Sequence, residues 1–197
     1  MLRQPALFAA AWMGWCLLHS LLIAGPPARG LEKLFPRTHR LVYNLIAFVT
    51  LLPLLLWEWQ VAADPVYRWP FLLWPLRVLL LAVAVYLVVS AARAFDMLVF
   101  LGISGLRSRT GQPAEPEVLR TDGILARLRH PWYAAGLILI WLRDQHLYSL
   151  LGSLVLTGYL LVGALLEERR MLRRFGASYA IYREQVPRFF PRIQRNR

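Results

Sequence analysis

Long apolar segments alternate along the chain with short polar segments that are rich in arginine and proline. An α-helix needs about 20 predominantly apolar residues to cross the hydrocarbon core of a bilayer, which is roughly 30 Å thick. Four segments come near this length, and a fifth is shorter, with 11 residues. They cover residues 5–24, 41–57, 71–92, 132–142 and 147–166. The pattern predicts an all-α, polytopic membrane protein with about five transmembrane helices.

The composition fits this class, because 58% of the residues are hydrophobic and the mean hydropathy is +0.45. The net charge is +12, from 23 Lys and Arg against 11 Asp and Glu. The basic residues lie beside apolar segments, where anionic headgroups attract them, so we expect membrane lipids and not nucleic acid as partners. Cys16 is the single cysteine. The chain therefore has no intramolecular disulfide and no thiolate metal cluster, and we expect no metal.

Basic residues are distributed unevenly among the segments that join the predicted helices. The first and third joining segments and the tail after residue 166 are rich in arginine, whereas the second and fourth have no excess of bases. Because basic loops remain in the cytoplasm, five crossings with the N-terminus outside and the C-terminus in the cytoplasm satisfy every loop. The arginine bias and the lack of a recognisable signal peptide predict a bacterial inner membrane protein.

The polar segments divide the chain into three predicted regions. Residues 1–106 form a three-helix membrane region, and residues 107–123 form a cytoplasmic loop rich in Gly, Pro and acidic residues. Residues 124–197 form a helical hairpin and a tail. The second helix of this hairpin should continue past Glu168 and stop at Gly176, a favourable C-cap position after a basic last turn.

A short amphipathic helix is predicted to follow, beginning near residue 178. Tyr179, Tyr182 and Val186 recur on one face at helical spacing, while the other face is charged. We therefore expect this helix to lie along the cytoplasmic headgroup boundary.

The hairpin should bring charged and aromatic side chains together at one end. Its short polar turn makes the two helices antiparallel, so their open ends meet. Arg129, His130 and Tyr133 then lie near Glu167 and Glu168 at the cytoplasmic interface. Fixed polar groups at a bilayer boundary are costly to hold there, which favours a role in ligand binding.

The ligand that suits this layout carries charges of both signs. The N–H groups of a helix start that has Pro131 in its first turn, together with Arg129, favour a carboxylate or a phosphate. Two adjacent glutamates favour a cation or ribose hydroxyls, and S-adenosylmethionine has all of these groups. The structural alternative is that His130 only hydrogen-bonds within the protein and that the glutamates only form salt bridges with nearby arginines. Those arginines are Arg170, Arg173 and Arg174.

A series of short motifs lies in order between residues 121 and 191. They are Gly123, Arg129-His130-Pro131-Trp132-Tyr133, Gly136, Glu167-Glu168, Leu172, Phe175-Gly176, Tyr179, Tyr182 and Val186-Pro187. In this order they resemble the superfamily of isoprenylcysteine carboxyl methyltransferases and phospholipid N-methyltransferases, which are integral membrane enzymes. The resemblance implies that the segment binds S-adenosylmethionine near the cytoplasmic face. The implied cofactor contacts are Arg129, His130, Tyr133, Glu167 and Glu168, with Tyr179 and Tyr182 in a lid.

One position departs from the superfamily pattern. Where relatives often have Tyr-Arg-Tyr, this chain has Leu125-Ala126-Arg127. A second set of motifs lies in the N-terminal half, and its members are Trp15, His19-Ser20, Arg40-Leu41-Val42-Tyr43-Asn44, Phe95-Asp96 and Phe100-Leu101-Gly102. These motifs resemble a narrower branch, which contains methanethiol S-methyltransferases, NnrU-type proteins and nurim.

Methyl transfer from a sulfonium is an in-line displacement, so such a protein contributes chiefly by aligning donor and acceptor and by excluding water. A thiol acceptor must react as its thiolate, and Arg129 and Glu168 are the candidate catalytic residues that would help to form it. His19, Tyr43 and Asn44 are polar groups in the early membrane helices. They either line the acceptor site or join one helix to another through hydrogen bonds.

Three kinds of function are compatible with these patterns. The first is a membrane methyltransferase that acts on a small or lipophilic acceptor, such as a thiol, an isoprenylcysteine-like carboxylate or a lipid amine. The second is a nonenzymatic NnrU-like or nurim-like membrane protein that keeps the fold. The third is a transporter or a quinone- or haem-linked subunit, which the four histidines suggest. The pattern leaves the acceptor and the oligomeric state open.

Overall fold

The computed structural model describes residues 3–61, 64–107 and 118–190. Within these ranges the chain is helical and contains no strand, and Tyr67 and Gln145 form an isolated β-bridge. The helices are α1 (Arg3–Ala24), α2 (Pro26–Leu34), α3 (His39–Gln60), α4 (Trp74–Ala94), α5 (Met97–Leu101), α6 (Ser104–Arg107), α7 (Pro131–Leu142), α8 (Leu147–Phe175) and α9 (Ala177–Gln185). Short 3-10 turns occur at Phe71–Leu73 and Gly123–Ala126.

Four of these helical segments are long and apolar enough to cross a membrane, and α7 is a shorter apolar helix. The four are Gln4–Ala24, His39–Gln60, Phe71–Ala94 and Leu147–Phe175. The predicted all-α, polytopic membrane class is therefore confirmed. The α8 helix continues beyond the apolar crossing, which ends at residue 166, and runs to Phe175, as predicted.

The end of α8 agrees with the predicted C-cap at Gly176, which has φ +54° and separates α8 from α9. Glycine adopts a positive φ at little cost, so the chain can change direction here. The predicted face of α9 is also present, because Tyr179, Tyr182 and Val186 form one buried cluster. This face packs against residues of the α8 end and Leu119, so protein covers it. The expected position of α9 at the headgroup boundary stays a prediction.

The chain divides into two compact units, each assembled from segments that are distant in sequence. Unit 1 contains Met1–Arg68, Asp96–Glu115 and Asp144–Leu156, and unit 2 contains Trp69–Phe95, Pro116–Arg143 and Thr157–Arg197. The division by sequence into residues 1–106, 107–123 and 124–197 stays a prediction. Most of the predicted cytoplasmic loop, at residues 108–117, lies outside the described residues, as do Pro191 and the tail after it.

Unit 1 has an aromatic core. The fully buried ring of Phe8 makes edge-to-face contacts with Trp57 and Tyr148, at centroid distances of 5.3 and 5.2 Å. Trp12 packs beside Phe8 and against the backbone of Gly152, where an added Cβ would lie 3.0 Å from the indole nitrogen. Aromatic pairs of this geometry add specific attraction to the burial of their area.

The core of unit 2 positions the start of α7. Leu87 of α4, Ile124 and Leu125 of the 3-10 turn, and Ala134 of α7 are buried in one cluster with Leu128. Small side chains on α7 let the helix pack closely against its neighbours. Because Leu128 is anchored in this core, the next two residues of the chain are fixed at the N-terminal end of α7.

Candidate functional site

The candidate site lies entirely within unit 2, at the N-terminal end of α7. The helix begins at Pro131, and His130 is its N-cap. Two backbone hydrogen bonds attach this start to the segment after α9. The N–H of Arg129 donates to the carbonyl of Pro187 at 3.0 Å, and the N–H of His130 donates to the carbonyl of Arg188 at 3.1 Å. The pairing brings the end of the described chain alongside the Arg-His-Pro motif.

Glu168 of α8 is the centre of the site, and its side chain is only 4% exposed. Its Oε1 lies 2.8 Å from Nη2 of Arg129 and 3.2 Å from Nε2 of His130. Arg188 donates to both carboxylate oxygens, through Nε to Oε1 at 2.9 Å and through Nη2 to Oε2 at 2.7 Å. A buried carboxylate needs such partners because it has lost its hydration. The structure thus brings Arg129, His130 and Glu168 into contact, as the hairpin argument predicted.

Arg129 is almost as deeply buried, with 7% of its side chain exposed. In addition to the ion pair with Glu168, its Nη1 donates to the backbone carbonyl of Arg183 at 2.6 Å. Its Nε is also buried and has no acceptor among the described residues. A buried donor without a partner costs free energy, and a ligand that supplies an acceptor removes this cost.

His130, Tyr133 and Glu167 contact one another beside Glu168. Nδ1 of His130 lies 3.8 Å from Oε2 of Glu167, which is 34% exposed, and the Tyr133 hydroxyl hydrogen-bonds Glu167. The rings of His130 and Tyr133 meet edge to face at 5.2 Å. Burial lowers the pKa of His130, although the charges of Glu167 and Glu168 oppose this effect. The lowered pKa favours the neutral imidazole, and a neutral ring with its proton on Nε2 donates a hydrogen bond to Glu168.

The two tyrosines of α9 have different surroundings. The Tyr182 hydroxyl donates to the carbonyl of Leu125 at 2.6 Å, which ties α9 to the 3-10 turn before α7. Tyr179 packs edge to face against Tyr182, and burial, followed by the charge of Glu168, raises its pKa to about 12. Both phenols therefore stay protonated at physiological pH. Their predicted role in a lid stays a prediction.

Arg188 is the contact of Glu168 that the sequence analysis missed. The structural alternative paired the glutamates with Arg170, Arg173 and Arg174. Within the described residues, the ion pairs of Glu168 are instead with Arg129, His130 and Arg188. The chain holds nine arginines from residue 167 onward, so no single one stood out. The only available signal was the position of Arg188 directly after the Val-Pro motif.

The predicted acceptor residues belong to unit 1, and the structure shows them in contacts between helices. The Tyr43 hydroxyl of α3 lies 2.9 Å from Nε2 of His19 on α1, and the His19 ring stacks on Trp15 at 5.1 Å. Nδ2 of Asn44 donates to the carbonyls of Phe100 and Leu101, at 3.3 and 3.2 Å. These contacts agree with the helix-joining alternative and leave the acceptor role a prediction.

Three curated relatives resemble the chain, two of them along most of its length. It is 28% identical over 193 residues to methanethiol S-methyltransferase 2 of Bradyrhizobium diazoefficiens, and the aligned region covers 91% of the chain and 70% of the relative. It is 30% identical over 165 residues to methanethiol S-methyltransferase 1 of the same organism, with 77% of the chain and 54% of the relative covered. A match to methanethiol S-methyltransferase of Pseudomonas deceptionensis is 32% identical over 88 residues, which is 43% of the chain and 34% of the relative.

No solved structure matches the chain. The model of one protein family, described as NnrU protein, matches residues 7–193. This match covers both units and every residue of the candidate site. It also agrees with the branch that the N-terminal motifs resemble. The chain belongs to the NnrU protein family.

Proposed function

We propose that this protein is an S-adenosylmethionine-dependent methyltransferase of the membrane, acting on a small or lipophilic acceptor at the cytoplasmic interface. The observation that carries the proposal is the buried Arg129, whose guanidinium is fixed by Glu168 and the Arg183 carbonyl while Nε has no acceptor. The names of the relatives, which are methanethiol S-methyltransferases, support the same class of reaction.

The residues present fit the groups of S-adenosylmethionine. Nε of Arg129 and the first-turn amides of α7 would hold its carboxylate, because a helix N-terminus and a guanidinium both attract anions. Glu167 is the partly exposed carboxylate of the site, and it would hold the ammonium group or the ribose hydroxyls. Tyr133 and His130 lie beside Glu167 and would fix its orientation.

S-adenosylmethionine, when bound, would supply a methyl group on a positively charged sulfur. The nucleophile attacks the methyl carbon in line, and the sulfur leaves as a neutral thioether. The chain would contribute alignment, exclusion of water and a positive charge beside the acceptor. Arg129 favours an anionic acceptor such as a thiolate or a carboxylate, because it lowers the free energy of the charged form. Glu168 is not suited to accept a proton, since its oxygens already bind two guanidiniums and His130. We assign it a positioning role.

His19, Tyr43 and Asn44 are proposed as residues of the acceptor site. Aromatic and imidazole groups in an apolar helix pair suit a small, lipophilic acceptor. The hydrogen bond between His19 and Tyr43, and those from Asn44 to the carbonyls of Phe100 and Leu101, would keep them in place in the absence of an acceptor. A thiol, an isoprenylcysteine-like carboxylate and a lipid amine remain the acceptor classes to compare.

The alternative function is a nonenzymatic membrane protein that keeps the fold. One observation favours it, namely that the carboxylate of Glu168 is fully paired within the protein. In that case the charge cluster would serve only to join α7, α8 and the segment after α9.

Binding of S-adenosylmethionine separates the two functions. We expect the cofactor to raise the thermal midpoint of the purified protein in mild detergent, because a ligand of the folded state stabilises it. Glu167→Gln should weaken this binding about tenfold or more, since a charged hydrogen bond is worth about 1.5–3 kcal/mol. The exposed Glu184→Gln, which removes the same charge from α9, is the matched control and should bind as wild type does.

An unchanged midpoint at saturating cofactor would favour the nonenzymatic alternative. Equal affinity in Glu167→Gln would remove Glu167 from the cofactor site. Where binding is observed, transfer of a labelled methyl group to a panel of thiols, lipid amines and isoprenoid carboxylates in reconstituted membrane identifies the acceptor.

We further propose that the protein lies in a bacterial inner membrane with its N-terminus outside and its C-terminus in the cytoplasm. The alternation of basic and non-basic joining segments supports this orientation. The test is a reporter enzyme that is active only outside the cytoplasm, inserted after residue 64 or after residue 144. Activity at a position shows that the joining segment there is external. In the proposed orientation both joins are external, so activity is expected at both, and activity instead at residue 30 would reverse the topology.

A further inference from the structure

We propose that Arg188 is a positioning residue of the candidate site, which holds Glu168 in the one orientation that also fixes Arg129 and His130. The inference rests on the proposed function in so far as the site that it organises is the cofactor site. Arg188 itself need not touch the cofactor, because its effect passes through Glu168.

The first support is the geometry of the ion pair. Nε and Nη2 of Arg188 reach the two different oxygens of Glu168, at 2.9 and 2.7 Å. This is the bidentate arrangement that a planar guanidinium makes with a carboxylate, and it fixes the plane of the carboxylate as well as its position. Oε1 is then directed at Arg129, 2.8 Å away, and at His130, 3.2 Å away.

The second support is that Arg188 joins two parts of the site. Its side chain binds Glu168 of α8, and its backbone carbonyl accepts from the N–H of His130 at 3.1 Å. The next residue, Phe189, lies with its ring 5.9 Å from the His130 ring. A single residue therefore connects α8 with the N-cap of α7, and both carry groups that would hold the cofactor.

The third support is the difference in burial between the two arginines. The side chain of Arg188 is 35% exposed, whereas that of Arg129 is 7% exposed. Replacing Arg188 therefore removes little packing, and solvent can fill the space that it leaves. The main result of the replacement should be a carboxylate whose plane is no longer fixed and whose charge is less fully neutralised.

The charge that Arg188 neutralises has a measurable effect on His130. The charged groups near the imidazole are Glu167 and Glu168 of α8 and Arg129. The rings of Tyr133 and Phe189 also contact it. Without Arg188 the negative charge of Glu168 is only partly compensated. A stronger nearby negative charge stabilises the imidazolium, so His130 should bind a proton more tightly.

The test is an NMR titration of the four histidines in the protein without cofactor, with His130 assigned by substitution. In Arg188→Gln we expect the proton affinity of His130 to rise about tenfold, which corresponds to a pKa change of about one. Arg183→Gln is the matched control, because it removes an arginine charge from the exposed face of α9 and keeps the backbone carbonyl that Arg129 uses. Equal titration of His130 in the two variants would overturn the proposal.

A second measurement tests the link to the cofactor. Arg188→Gln should weaken S-adenosylmethionine binding about tenfold or more, and Arg183→Gln should not. Arg188→Lys keeps the charge but cannot form the two-pronged contact, so it should titrate like wild type and recover cofactor affinity only in part. Full recovery of affinity in Arg188→Lys would overturn the orientation argument.

The two proposals fail in different ways. If the wild-type protein does not bind S-adenosylmethionine, the proposed function is wrong, but the titration of His130 still decides the role of Arg188. If Arg188→Gln does not fold, Arg188→Lys decides it: weakened cofactor binding with an unchanged His130 titration supports the proposal, and unchanged binding contradicts it.

Discussion

Glutamine in place of Glu168 is expected to lower the free energy of unfolding by about 3–5 kcal/mol, the usual cost of removing one partner from a buried ion pair. Glutamine has nearly the same shape, so packing is kept while the negative charge is lost. The guanidiniums of Arg129 and Arg188 would then face each other across a neutral amide. Chemical unfolding in mild detergent measures the difference.

Two variants make this expectation specific to the buried pair. Glu167→Gln removes the same charge from the adjacent, partly exposed residue and should cost less than about 1 kcal/mol. Glu168→Gln combined with Arg188→Gln should recover part of the loss, because one of the unpaired cations is then absent. The expectation is wrong if Glu168→Gln and Glu167→Gln unfold at the same denaturant concentration.

Alanine in place of Gly102 is expected to be still more damaging and to prevent unit 1 from folding stably, at a cost above about 4 kcal/mol. Gly102 follows α5 with φ +80°, a conformation that residues with a Cβ rarely adopt. An added Cβ would overlap the backbone nitrogen of Leu41 and lie 2.8 Å from the carbonyl carbon of Arg40. Neither backbone atom can move without displacing the start of α3.

Gly123→Ala separates the two causes of this damage. Gly123 also has a positive φ, of +58°, but no atom lies within 4 Å of the position of its Cβ. Its replacement should cost only the backbone strain, about 1–3 kcal/mol. The yield of monodisperse protein and its thermal midpoint provide the comparison, and a stable Gly102→Ala protein with the midpoint of Gly123→Ala would refute the expected overlap.

Much of the fold was predictable because membrane helices are determined by local sequence. A run of apolar residues long enough to cross the bilayer has no alternative to the helix, since its backbone polar groups must be satisfied internally. The end of α8 was predictable for a similar reason, because Gly176 follows a basic turn. The contact of Arg129 and His130 with Glu168 followed from the antiparallel hairpin.

The rest depended on contacts between segments that are far apart in the chain. Arg188 lies 20 residues after Glu168 and among many arginines, so only the fold selects it as the partner. The hydrogen bond from Tyr182 to the Leu125 carbonyl spans 57 residues and has no signature in either segment. The interleaved composition of the two units likewise depends on packing and not on local pattern.

The contacts of the polar residues in the first membrane helices also could not be predicted from the sequence. His19, Tyr43 and Asn44 are spaced as either acceptor ligands or interhelical contacts would be. Their distances to one another and to the α5 carbonyls identify contacts that exist in the protein itself.

The pairing of Glu168 with arginines on both sides of it in sequence bears on biogenesis. Arg129 is synthesised before Glu168, and Arg188 is synthesised 20 residues later. At a ribosomal rate of about 5–20 residues per second, roughly 1–4 s separate the synthesis of Glu168 from that of Arg188. Arg129 is already available as its first partner during this interval, so the nascent carboxylate need not enter the lipid with its charge uncompensated.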